Sequence, residues 1–77
     1  MSFVDDLTDA LARDTIAAMD KLGDENLIAE VAKQLAATST TSEEAFMTSI
    51  RVRLAERRAR EFLKQKLAEA AKGSAKE

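Results

Sequence analysis

The chain contains no cysteine, proline, histidine, tryptophan or tyrosine, and only two glycines. Without cysteine, neither a disulfide framework nor a thiolate metal site can form. Without histidine, the side chain best suited to proton transfer near neutral pH is missing. No apolar run exceeds four residues, which is far short of a membrane-spanning helix. The opening Met1-Ser2-Phe3-Val4-Asp5-Asp6 is acidic where an export signal is basic, so a soluble, cytoplasmic protein is expected. The missing proline, the scarcity of glycine and the many Ala, Leu, Glu, Lys and Arg residues all favour helix.

With 77 residues the chain has room for one domain and a thin core. A domain of this size buries only about 60% of the surface its unfolded chain exposes. Its own core then supplies roughly 3 to 5 kcal/mol, a shortfall that oligomerisation can remedy.

Taken in order, Ser2 followed by Asp5 reads as an N-cap with an acid in the first turn. A first helix, about 2–22, is expected to bury Val4, Leu7, Leu11, Ala18 and Leu22, with Phe3, Ala10 and Met19 beside them. Ile16 falls off that stripe and is expected to be a lone exposed apolar residue. Asp9 and Arg13 are spaced for an i,i+4 pair. Gly23-Asp24 suits a left-handed helix stop followed by a new N-cap. A second helix, about 24–37, would bury Leu27, Ile28, Val31, Ala32 and Leu35. The hydroxyl-rich 37–42 then reads as a connector.

The longest uninterrupted stretch, Ser42 to Lys72, predicts one helix about 45 Å long at ~1.5 Å per residue. Thr41 with Glu44 resembles a capping box, and Gly73 stands where a C-cap glycine would stop the helix. The domain thus spans 1–72, and 73–77 is expected to be a disordered tail. Apolar positions on this helix divide between two sides. Phe46, Met47, Ile50 and Leu54 make one; Val52, Ala59, Phe62, Leu63, Leu67 and Ala70 make the other, with Ala55 at its margin. One packed helix needs one stripe about 100° wide, so two sides imply two things to pack against. The first is intramolecular, and the second is expected to be a symmetry mate or its first helix. The competing arrangement bends the long helix near Ala55 and closes a bundle within the chain.

Charge is divided along the chain. Residues 1–44 carry ten acids and three bases, and residues 45–77 carry nine bases and four acids. The two halves can attract each other, within a chain or between copies. Arg53, Arg57, Arg60 and Lys64 recur at helical spacing as one basic stripe, which could track phosphates or be paired by carboxylates. Glu56 with Arg60, Arg53 with Glu56 and Glu61 with Lys64 are spaced for such pairs. A helix-turn-helix reading is weakened by Glu43 and Glu44, which stand where base-reading residues would lie. Membrane-surface binding is weakened by an alanine-rich apolar face without tryptophan.

Paired acids such as Asp5 with Asp6, or Asp20 with Asp24, have no nucleophile, imidazole or glycine-rich phosphate loop beside them. The acids over 20–30 lack the order of a calcium loop. No enzyme activity, metal or cofactor is therefore expected. The sequence predicts an all-α, antiparallel three-helix unit, short, short and long, forming a dimeric bundle. Its expected role is a non-enzymatic interaction or scaffold module that self-associates through the long helix, with another protein as a possible partner. The alternative is a small regulator contacting nucleic acid through the arginine stripe.

Overall fold

The computed structural model describes residues 2–76, with side chains through Gly73. The described residues form three helices that pack against one another, with no strand among them: α1 Phe3–Leu22, α2 Leu27–Ala36 and α3 Thr40–Lys76.

Local chemistry sets most of these ends. The Ser2 hydroxyl accepts from the Asp5 N–H at 3.1 Å, which satisfies one of the free donors of the first turn of α1. Gly23 ends α1 at φ 65°, where its N–H donates to the Met19 carbonyl at 2.8 Å. A side chain there would meet no neighbouring atom, so the requirement is for the left-handed backbone itself.

The other boundaries move from those expected. The Asp24 carboxylate accepts from the Asn26 N–H at 3.0 Å and holds a turn over 24–26, so α2 begins at Leu27 and not at 24. The cap of α3 lies earlier than Thr41 or Ser42. The Ser39 hydroxyl oxygen accepts from the Ser42 N–H at 3.1 Å, while the Glu43 N–H donates to the Ser39 carbonyl at 3.1 Å. At the far end α3 runs through Gly73 to Lys76 and does not stop at Lys72. Gly73 has no positive φ, because glycine permits a left-handed stop without imposing one. The residues read as a tail, 73–77, thus begin in helical backbone, and Glu77 lies outside the described residues.

The core is small: Ala12 and Ile16 from α1, Ala32 from α2, and Phe46 and Ile50 from α3. Leu11, Met19, Ile28, Val31, Leu35, Met47 and Leu54 pack partly buried around it. The first apolar side of α3 faces inward as its spacing predicts. On α1 the buried face differs. It consists of Thr8, Ala12, Thr15 and Ile16, roughly a quarter-turn from the predicted stripe. Ile16 is therefore a core residue and not a lone exposed one, whereas Phe3, Leu7 and Leu22 are exposed. Two threonines can be buried there because each satisfies its own hydroxyl. Thr8 Oγ1 donates to the Val4 carbonyl and Thr15 Oγ1 to the Leu11 carbonyl, both at 2.7 Å.

Beyond Leu54, every residue of α3 through Gly73 is exposed. The helix neither bends nor folds back to close an intramolecular bundle. The radius of gyration is 16.9 Å and the long dimension 60 Å. A compact chain of this length would have a radius near ~11.5 Å. The difference is the free half of α3.

Phe46 is fully buried and Phe62 is 61% exposed, so the same substitution separates the two halves of α3. Phe46→Ala should cost ~3 to 5 kcal/mol, enough to unfold much of the population, and Phe62→Ala within ~0.5 kcal/mol. Urea unfolding of dilute protein measures both.

Candidate interaction surfaces

Two surfaces of α3 stand out in the sequence, the basic stripe and the second apolar side. The fold treats them differently.

The basic stripe lies beside α1. Arg53 extends toward Asp9 and forms a two-pronged pair, Nε to Oδ1 at 2.8 Å and Nη2 to Oδ2 at 2.7 Å. Arg57 forks onto Asp20 end-on, Nη1 to Oδ2 at 2.9 Å and Nη2 to Oδ1 at 3.1 Å. Planar guanidinium matches planar carboxylate, which makes these the most geometrically specific links between α1 and α3. Further along, Arg60 meets Glu56 at 2.6 Å and Lys64 meets Glu61 at 3.5 Å. All four cations of the stripe are thus paired. The two i,i+3 and i,i+4 pairs within the free half were expected, but two others were not formed as expected. Asp9 is held by Arg53, so Arg13 turns to Asp14 at 3.2 Å, and Arg53 is no longer available to Glu56.

The attraction between the acidic and basic halves of the chain is therefore realised within one molecule. Hydrogen bonding from Arg53 holds the Asp9 carboxyl below the usual aspartate range, against a smaller opposing effect of desolvation. Asp9 in turn raises Arg53, and Asp20 raises Arg57, so both guanidiniums stay charged at any pH a protein meets.

The acids considered for catalysis do not converge. Asp20 is engaged by Arg57, and Asp24 holds its own turn. Among the described residues no three acids gather as a metal-binding group, and no helix is long and apolar enough to cross a membrane. The hollow between the end of α1 and α3, lined by Met19, Leu54, Arg57 and Phe62, is open to solvent, and its polar residues Arg57, Arg58, Glu61 and Gln65 are all exposed.

The second apolar side is uncovered along its length. Val52, Phe62, Leu63 and Leu67 are 54 to 63% exposed, and Ala55, Ala59 and Ala70 are exposed with them. Lys66 Nζ sits 5.8 Å from the centre of the Phe62 ring, a cation over an aromatic face. A smaller apolar strip on α1, Phe3 and Leu7, is also exposed, against the expectation that it is buried. The signal that could have exposed the error was the competing row Thr8, Ala12, Thr15, Ile16 and Met19, which is also spaced by threes and fours.

The lowered Asp9 pKa has a signed consequence. A group whose pKa is depressed on folding adds stability above its unfolded value, about 3.9, and loses it as pH falls through the lower folded value. The stability difference between the wild type and Asp9→Asn should be constant from neutral pH to about pH 5 and shrink below about pH 4. Urea midpoints of both proteins across that range measure it. A difference that grows on acidification would contradict the pairing.

Compared with protein-family models, curated proteins and solved structures, the chain matches none.

Proposed function

We propose that this chain is a non-enzymatic protein interaction module that self-associates as a homodimer through the free half of α3. The reading includes an antiparallel course for helices joined by short connections, as in a simple helical bundle. The observation that carries it is the uncovered row of Val52, Phe62, Leu63 and Leu67 on a helix that projects past its own core. Contiguous apolar surface on a small protein usually marks a partner site. A thin core gives a second reason for association, because a partner adds burial that the chain alone lacks.

Nucleic-acid contact through Arg53, Arg57, Arg60 and Lys64 has less support. Each of these cations already has a carboxylate partner, which lowers the field available to phosphates.

Sedimentation equilibrium over a wide concentration range tests the dimer, with a Leu63→Glu, Leu67→Glu variant beside the wild type. The expected result is a wild-type dimer and a folded, monomeric variant, since both positions are exposed in one chain. A monodisperse wild-type monomer at high micromolar concentration would sink the reading.

A further inference from the structure

Two apolar strips are left uncovered, one on α1 and one on the free half of α3. We infer that they cover each other between two copies, each protomer laying its α3 extension along the outer face of its partner's α1. This rests on the self-association proposed above and names the surface that receives the extension.

The large exposed apolar side chains among the described residues fall on these two helices alone. Phe3, Leu7 and Leu22 are on α1, and Val52, Phe62, Leu63 and Leu67 are on α3. Their lengths also match. Helix α1 has 20 residues, or about 30 Å, and the extension from Arg58 onward is about as long.

Charge decides between this arrangement and a pairing of two α3 extensions. Over 58–73 the extension has five bases (Arg58, Arg60, Lys64, Lys66 and Lys72) against Glu61 and Glu69, a net of +3. Two extensions side by side would set +3 against +3. Helix α1 has five aspartates against Arg13 and Lys21, a net of −3. Counting Arg53 and Arg57 with the aspartates they engage brings α1 from −3 to −1, and counting Glu56 with the Arg60 it engages brings the extension from +3 to +2, so the two surfaces keep opposite signs. Opposite signs favour the α1 face, and like signs disfavour the α3 pairing. Helical spacing places Asp14 in line with the Phe3 and Leu7 strip and Asp6 along one flank of it, and Arg60 and Lys66 on either side of Leu63. A two-fold axis would make the contact twice, the isologous form usual for a dimer.

Charge reversal at exposed positions tests the contact without touching the core. An Asp6→Lys, Asp14→Lys variant and an Arg60→Glu, Lys66→Glu variant should each raise the dimer dissociation constant at least ~10-fold in sedimentation equilibrium at low salt. Their equimolar mixture should recover a dimer, because both contacts are then of opposite sign. Circular dichroism and urea unfolding confirm that each variant remains folded. A Phe3→Gln, Leu7→Gln variant provides a second probe, and it too should be monomeric. If the α1 variants dimerise like the wild type while Leu63→Glu, Leu67→Glu does not, the inference is overturned and self-association through α3 stands. Failure of the charge-reversed pair to recover on mixing also overturns the inference. A wild type that never dimerises overturns both.

Discussion

The closure of three helices around Phe46 is the interaction on which the rest of this structure depends. Its ring is fully buried, and two of its companions in the core, Ala12 on α1 and Ala32 on α2, are small enough to let the helices come close. A large aromatic set among alanines is a way to fill a thin core with few residues. That close approach is also what brings Asp9 and Asp20 within reach of Arg53 and Arg57. The ion pairs lie at the edge of the contact and are partly exposed, so they orient the helices more than they hold them together.

The consequence for function is a division of α3. Its first half is consumed by the core and its flanking ion pairs. Its second half projects past the core, exposed along its length, and its stability there comes from helix propensity and from local pairs such as Glu56 with Arg60 and Lys66 with Glu69. A projecting helix with an apolar row is a costly thing to leave in water, which is why a partner surface gives the simplest account of it.

Much of this was legible in the sequence wherever the cause was local. The Ser2 cap, the Gly23 stop, the inward set Phe46, Met47, Ile50 and Leu54, and the second side of α3 all follow from short-range spacing and backbone chemistry. What escaped depended on something spacing does not encode. Thr8 and Thr15 are polar by type, but each turns its hydroxyl onto its own helix and is buried. Once they count as core, Ile16 joins them and Phe3 and Leu7 turn outward. Asp9 had a plausible partner four residues away, yet its bond goes to Arg53, 44 residues along the chain. The start of α3 shifted because several hydroxyls compete for one cap, and the packed geometry settled on Ser39.

The uninterrupted course of α3 also bears on how its two halves come apart. Starting a helix is the unfavourable step, and extending one that already exists is nearly free. The bundled turns around Phe46 therefore serve as a standing nucleus for the projecting turns beyond Leu54. The dependence runs one way: the outer turns can fray and re-form while the core stays closed, but opening the core removes the template from which they grow. In the monomer, amide hydrogens along α3 would then exchange on a gradient, slow near Ile50 and progressively faster toward Lys72.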